Sequence, residues 1–173
     1  MSRQRYAERS GQRHPGDAGK RPLSGDPVTF ERERLALFAR YGFEGERRWI
    51  TDREGRSTYM IGRGEGSCPT VLVHGGLSQA SEWALLACRL PGHVIFPDRP
   101  GCGLSYPIDY RNVDYRTAAA SWLLDLLDGT GAEQADLVGN SMGGFFSMAF
   151  AIAHPHRVRR LVLVGAPAGF DRH

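Results

Sequence analysis

The sequence predicts an α/β protein: a doubly wound, mostly parallel sheet with helices on both faces. Three observations predict this fold class. Short continuous apolar runs, typical of strands buried on both faces, recur at 70–73, 94–96, 136–138 and 158–164. Segments with helical spacing alternate with them, at 80–89, 115–127 and 142–154. Each apolar run ends in glycine, proline or a polar residue, as expected where a connection leaves a buried sheet.

The segments before residue 69 predict a helix and a hairpin ahead of that sheet. Apolar residues punctuate charged ones over 28–41 and Gly42 follows, which favours a short helix. Two extended segments follow at 47–51 and 57–61, and the polar residues 52–55 between them are typical of a hairpin turn. We expect this antiparallel hairpin to lead into the parallel strands.

Charge and composition divide the chain into a tail and a domain. The net charge of the 173 residues is +3, and residues 1–27 hold six basic and three acidic side chains, so the remainder is neutral. The tail has almost nothing apolar to bury, so we expect it to be disordered and to bind neither nucleic acid nor a membrane.

No run approaches the roughly 18–20 apolar residues of a membrane span, and no secretion signal is recognisable, so we expect a cytoplasmic protein. Three dispersed cysteines predict neither a disulfide framework nor a metal site.

The strongest chemical signal is a serine between glycines, directly after a strand. Gly139 and Gly143 lie two residues before and two residues after Ser141, and an apolar helix is predicted to follow. A sharp strand–turn–helix of this type exposes a nucleophilic hydroxyl and needs small residues where strand and helix pass closely. Ser141 is therefore the predicted nucleophile. The Met142 N–H, at the helix N-terminus, is a predicted oxyanion donor.

A second glycine-rich segment, His74-Gly75-Gly76-Leu77, follows the strand at 70–73. A free N–H of Gly76 or Leu77 is predicted to be the other oxyanion donor, with Gly75 as part of the scaffold. His74 is either a general base or a side chain that orients the loop, and we favour the second.

The third motif is the loop 98–105, which follows the strand at 94–96. Its proline and glycines predict a tight turn, which Asp98 would anchor by accepting backbone hydrogen bonds. Cys102 is a rival nucleophile, but it has neither an identified base nor a helix N-terminus beside it.

Together these motifs resemble the α/β-hydrolase fold superfamily over about residues 47–169. The runs GNSMGG and DRPGCGLS are similar to its esterase, C–C hydrolase and acyltransferase branches. The resemblance implies that Ser141 is the nucleophile, that Met142 with Gly76 or Leu77 forms the oxyanion hole, and that a small-molecule acyl substrate is hydrolysed without cofactor or metal. A serine at this position argues against the haloalkane dehalogenase and epoxide hydrolase branches, which place an aspartate there.

The histidine of the triad has no evident candidate. The family order is nucleophile, acid, histidine. His154 is predicted about 20 Å from Ser141, at the far end of the following helix, and His156 lies beyond it. Asp171 and His173 are at the very end of the chain. We therefore expect a partial α/β-hydrolase domain over 28–173, truncated before the lid, the acid and the histidine.

Two consequences of a partial domain are expected. The chain alone would have low or no activity, and the strand at 158–164 would be an uncovered apolar edge that favours self-association. The alternatives are a non-catalytic binding module that retains the pocket and lost the triad, a C–C bond hydrolase, and an acyltransferase.

Overall fold

The structure, a computed structural model, describes residues 26–167. Its strands are β1 (Glu46–Thr51), β2 (Ser57–Arg63), β3 (Thr70–Val73), β4 (Val94–Pro97), β5 (Ala135–Asn140) and β6 (Val158–Val164). Its α-helices are α1 (Pro27–Arg40), α2 (Ala84–Ala87), α3 (Tyr115–Thr130) and α4 (Met142–Ala153). Short 3₁₀ turns lie at Ala80–Trp83, Tyr110–Asn112 and Pro155–Arg157.

The six strands form one mixed sheet in the order β1-β2-β4-β3-β5-β6. The hairpin strands β1 and β2 are antiparallel, and β2 joins β4 in antiparallel fashion. The pairings β3 with β4, β3 with β5 and β5 with β6 are parallel. The predicted fold class is confirmed: a mostly parallel sheet entered through an antiparallel hairpin.

Two hydrophobic layers cover the two faces of the sheet. Successive residues of a strand point to opposite faces, and β3 shows this directly. Val71 and Val73 pack with residues of α3 and α4, whereas Leu72 packs with residues of α1 and α2. All three side chains have no exposed surface. Residues 71–73 of β3 are therefore apolar without alternation because both faces of this strand are buried.

The first helix begins at a side-chain cap. The Asp26 carboxylate accepts hydrogen bonds from the backbone N–H groups of Val28 (3.2 Å) and Thr29 (3.1 Å), and Pro27 occupies the first turn. Helix α1 thus begins one residue earlier than predicted, inside the predicted tail 1–27. Residues 1–25 of that tail lie outside the described part of the chain.

The predicted helical stretch at 80–89 is confirmed over 80–87, but it is not one continuous α-helix. It is a 3₁₀ turn, Ala80–Trp83, followed by the single α-turn of α2. The Asp98 carboxylate accepts a hydrogen bond from the Ala80 N–H at 2.8 Å, which fixes the start of the turn against the sheet. Pro91 and Gly92 follow closely, so the chain has no room for a longer helix before β4.

The last strand is exposed on both faces. In β6, Leu161, Val162, Leu163 and Val164 are 36–51% exposed, and the strand pairs only with β5 among the residues described.

Of the helices in the same part of the chain, none is long and apolar enough to cross a membrane.

Candidate active site

The crevice of the sheet lies between the carboxyl ends of β3 and β5. From β3 the chain crosses to β4 on one side, and then returns past β3 to β5 on the other. Ligands of open α/β sheets bind outside the strand ends at such a reversal of strand order. The loop after β3 begins at His74, and Ser141 directly follows β5. The topology therefore brings the two principal motifs of the sequence to one edge.

Ser141 has the strained backbone expected of a nucleophile at a sharp turn. Its φ is 48° and its ψ is −117°, and only one other non-glycine residue of 26–167 has a positive φ, Leu77 at 55°. The Ser141 side chain is exposed and makes no capping hydrogen bond to α4. Its N–H donates to the Val164 carbonyl of β6 at 2.8 Å. Within residues 26–167, the hydroxyl thus stands without a hydrogen-bond partner at the N-terminus of a helix.

Three glycines make this turn sterically feasible. A Cβ on Gly139 would lie 2.5 Å from the Gly143 carbonyl oxygen, and one on Gly144 would lie 2.5 Å from the Ala166 Cβ. A Cβ on Gly143 would overlap the Val73 carbonyl oxygen at the end of β3. These contacts join strand, helix and neighbouring strand too closely for any side chain. The glycine spacing noted in the sequence is thus a consequence of packing.

The loop after β3 lies directly against the turn at Ser141. A Cβ on Gly75 would be 3.6 Å from the Ser141 Cβ, and one on Gly76 would be 3.9 Å from the Met142 Cβ. The Met142 N–H lies in the first turn of α4, where backbone N–H groups have no partner within the helix. The N–H groups of this loop and of α4 therefore border the space above the serine hydroxyl.

His74 is a neutral, fully buried side chain whose ring nitrogens are both engaged. Its Nε2 accepts from the Arg99 N–H at 2.9 Å, so its Nδ1 carries the proton and donates to the Gly75 carbonyl at 2.8 Å. Burial, together with the nearby Arg99 cation, lowers the pKa of His74 to about 4. Such an imidazole has no free nitrogen with which to take a proton from Ser141. Its contacts are those of a side chain that orients the loop.

Asp98 is buried at the centre of a hydrogen-bond network. Besides the Ala80 N–H, its carboxylate accepts from the Leu104 N–H at 2.9 Å. It also forms a bidentate pair with Arg34 of α1, at 2.7 and 2.8 Å. A Cβ on Gly103 would overlap the same carboxylate. Sequence analysis anticipated the backbone contacts of Asp98 but not Arg34, because nothing in a helical pattern marks a charged residue for burial.

Two further side chains at the site were missed by sequence analysis. Glu82 accepts from the Gly75 N–H at 3.0 Å and from the Asn140 Nδ2 at 2.8 Å, which joins the β3 loop to the residue before Ser141. Arg99 is 4% exposed and donates to the carbonyls of His74 and Gly75. One signal was available: Glu82 is the sole acidic residue between Leu77 and β4.

Of the remaining candidates, Cys102 and His154 are not placed for catalysis. Burial raises the pKa of Cys102, so its thiol is protonated near neutral pH. His154 directly follows the 12-residue helix α4, at the end opposite Ser141. Asp171 and His173 lie outside the described residues. In the part of the chain that the structure describes, no group of three or more His, Cys, Asp or Glu side chains is arranged to hold a metal ion.

A groove of about 430 Å³ lies elsewhere, between α3 and α4. Its walls include Ala120, Phe145, Met148 and Ile152, and neither Ser141 nor the β3 loop contributes to them. We therefore locate the candidate site by the strand ends and the strained serine, and not by this groove.

Comparison with known proteins agrees with this geometry. Residues 69–172 match the family model of the alpha/beta hydrolase fold. A 2-hydroxy-6-oxo-2,4-heptadienoate hydrolase of Pseudomonas putida is 43% identical over 106 residues, 57% of this chain and 37% of that protein. A pimeloyl-[acyl-carrier protein] methyl ester esterase of Yersinia enterocolitica is 32% identical over 64% of this chain and 41% of its own length.

Solved structures give the same result. Naproxen esterase of Bacillus subtilis superposes with a TM-score of 0.66 at 28% identity, over 81% of this chain and 50% of that one. The chain belongs to the α/β-hydrolase fold family, whose relatives here are named as hydrolases and esterases. It spans about two-fifths of the length of the curated relatives it matches.

Proposed function

We propose that the protein is a serine hydrolase that cleaves a carboxylic ester or a related small acyl compound through an acyl-enzyme, with Ser141 as nucleophile. The observation that carries this proposal is the conformation of Ser141. Ser141 is held at φ 48° between a strand and a helix, and its exposed side chain makes no capping hydrogen bond to α4. A strained non-glycine residue at such a turn is typical of a functional site.

The chemistry follows from the surroundings of that hydroxyl. Its oxygen attacks the acyl carbonyl carbon while its proton passes to solvent, and the carbonyl oxygen becomes negatively charged. The bond to the alcohol oxygen then breaks, the alcohol departs with a proton taken from solvent, and water hydrolyses the Ser141 ester that remains. The Met142 N–H and an N–H of the β3 loop stabilise that negative charge. Within residues 26–167, neither His74 nor His154 is placed to accept the serine proton, so we expect turnover that relies on these described residues to stay at the residual level left by binding and the oxyanion hole.

Acylation of Ser141 tests the proposal directly. The chain is incubated with p-nitrophenyl acetate, p-nitrophenolate release is followed, and the acetylated peptide is identified by mass spectrometry. We expect the acetyl group on Ser141 and its loss in Ser141→Ala. The matched control is Ser121→Ala, which removes an exposed serine of α3 and should change nothing. Release that is equal in Ser141→Ala and the unaltered chain would refute the nucleophile.

A second candidate is hydrolysis of a carbon–carbon bond beside a ketone. It is favoured by the 43% identity to a relative named for 2-hydroxy-6-oxo-2,4-heptadienoate, a substrate with a 6-oxo group and no ester. Loss of the dienoate absorbance, dependent on Ser141 and faster than ester cleavage, would support this candidate over the ester hydrolase. Saturable binding of the dienoate with neither turnover nor adduct would favour a non-catalytic binding module.

A further inference from the structure

We propose that Arg99 is a positioning residue that fixes the plane of the Gly75–Gly76 peptide and thereby aims the Gly76 N–H, and not that of Leu77, at the oxyanion. This inference rests on the proposed function, because it concerns the same site. Its starting point is the number of donors that converge on one carbonyl oxygen. The Gly75 carbonyl accepts from the Arg99 Nη2 at 2.7 Å and from the His74 Nδ1 at 2.8 Å.

Because the peptide group is planar, the contacts that hold the Gly75 carbonyl also determine the direction of the Gly76 N–H. In a trans peptide the C=O of one residue and the N–H of the following residue point in opposite directions. The Gly75 carbonyl points into the interior, toward the buried side chains of His74 and Arg99. The Gly76 N–H therefore points outward, on the exposed side of the loop next to Met142.

The neighbouring N–H groups do not meet this condition. The Gly75 N–H is already engaged, because it donates to the Glu82 carboxylate at 3.0 Å. The Leu77 N–H belongs to the Gly76–Leu77 peptide, and within residues 26–167 no hydrogen bond fixes the Gly76 carbonyl. Of the three loop amides, that of Gly76 alone is both unengaged and held in a set direction.

Arg99 is itself held rigidly. Its Nε donates to the His74 carbonyl at 3.0 Å, its backbone N–H donates to the His74 ring, and its guanidinium lies 5.1 Å from the Phe146 ring centroid. Among the described residues no carboxylate pairs with it. Its Nη2 also lies 3.8 Å from the Cys102 Sγ. A buried cation that donates to two carbonyls of this loop also favours negative charge on the far side of that peptide.

The test uses diethyl p-nitrophenyl phosphate on the intact chain. The Ser141 oxygen forms a bond to phosphorus, the bond from phosphorus to the aryl oxygen breaks, p-nitrophenolate leaves and the serine proton passes to solvent. The phosphoryl oxygen of the adduct then stands in for the oxyanion. Two quantities are measured: the rate of p-nitrophenolate release, and the amide proton shifts of Gly76, Leu77 and Met142 before and after reaction.

In the unaltered chain we expect the Gly76 and Met142 amide protons to move downfield on phosphorylation and the Leu77 proton to stay. Arg99→Met should slow the reaction on the order of tenfold to a hundredfold and abolish the Gly76 shift while the Met142 shift remains. Arg99→Lys, which keeps the charge and one donor, should restore part of the rate. Selective loss of one amide shift is a result that general loosening of the fold would not produce.

Arg63→Met is the matched control. Arg63 also donates to a backbone carbonyl, that of Leu90 at 2.7 Å, and also lies over an aromatic ring, Phe43 at 4.8 Å. The Arg63→Met variant should leave both the rate of p-nitrophenolate release and the amide proton shifts unchanged. If Arg99→Met does not fold, the shifts of the unaltered adduct and the Arg99→Lys rate still decide the matter.

Two results would overturn the inference alone: a Leu77 shift without a Gly76 shift in the adduct, or an Arg99→Met chain that keeps both the rate and the Gly76 shift. Failure of the unaltered chain to form any adduct at Ser141 is a different result, since it overturns the proposed function and this inference together.

Discussion

The two halves of the candidate site are built by different means. The turn at Ser141 is held by backbone packing: glycines bring β5, α4 and the end of β3 so close that no side chain fits between them. The loop after β3 is held by side chains that arrive from distant positions, with Glu82 on the Gly75 N–H and Arg99 on the Gly75 carbonyl. The Ser141 turn is therefore fixed by close backbone contacts that only glycine permits, and the β3 loop is fixed by hydrogen bonds from charged side chains.

This difference determines how each half can fail. A steric contact with backbone atoms cannot be relieved locally, so one added methyl group should damage the turn severely. A hydrogen-bonded loop responds to loss of charge and to pH, because its supports are Glu, Arg and His side chains.

Gly143→Ala should be the most damaging single substitution. Its Cβ would overlap the Val73 carbonyl oxygen of β3, and α4 would have to move away from the sheet. We expect a loss of at least about 5 kcal/mol in the free energy of unfolding, measured by urea denaturation. Gly76→Ala is the control, since its Cβ would meet only the Met142 Cβ at 3.9 Å. Similar losses in both variants would contradict the packing account.

Arg34→Met should cost roughly 3–5 kcal/mol, because it leaves the buried Asp98 carboxylate without its cation. The pair is 3% and 0% exposed. Adding Asp98→Asn should recover part of the loss by removing the unpaired charge. Arg47→Met serves as the comparison, because Arg47 is 61% exposed and its pair with Glu31 contributes little. Equal unfolding midpoints for the two arginine variants would show that the buried Arg34–Asp98 pair stabilises the fold no more than the exposed pair does.

Acid should destabilise the fold through His74. Its pKa falls from 6.5 to about 4 on folding, so between these values the unfolded chain binds a proton that the folded chain does not. Stability is therefore fully retained above pH 6.5, declines as pH falls toward 4 and loses on the order of 3 kcal/mol in all. Urea unfolding at several pH values measures this slope. His74→Gln should flatten it, and an unchanged slope would assign the effect to other groups.

The smallest effect concerns β6, against which the Ser141 turn rests. Self-association through this edge remains a prediction, motivated by the half-exposed Val162 and Leu163. Val162→Lys should weaken association about tenfold, or roughly 1.4 kcal/mol, as measured by sedimentation equilibrium. Arg48→Ala on the opposite edge strand, β1, should leave it unchanged. A monomer at all concentrations in the unaltered chain would count against the prediction.

The sequence allowed the fold and the Ser141 turn to be predicted because both depend on local pattern. Continuous apolar runs predicted the buried parallel strands, and the bounds of β3 and β6 agree with the structure. The glycines at 139 and 143 predicted a close approach of strand and helix, which the structure shows. Backbone packing of this type can be predicted because the glycines that permit it lie close to Ser141 in the sequence.

The buried and partly buried charged side chains around the site could not be predicted in the same way. Arg34, Glu82 and Arg99 lie far apart in the sequence or in segments expected to be ordinary helix and turn. Their burial depends on partners that only the fold brings near, such as Asp98 for Arg34. The helical stretch expected at 80–89 begins as a 3₁₀ turn for a related reason: the Ala80 N–H donates a hydrogen bond to Asp98, 18 residues away.

The central position of β3 also determines when the site can come into being. Residues of β3 pair with nearby β4, Val71 with Ile95, but with much more distant β5, Leu137. Closing the longer loop carries the greater entropy cost, and pairings between distant segments slow folding. Until β5 joins β3, Ser141 and Gly76 belong to separate pieces of chain. Formation of the candidate site therefore requires the pairing of β3 with β5, the costlier of the two closures that β3 makes.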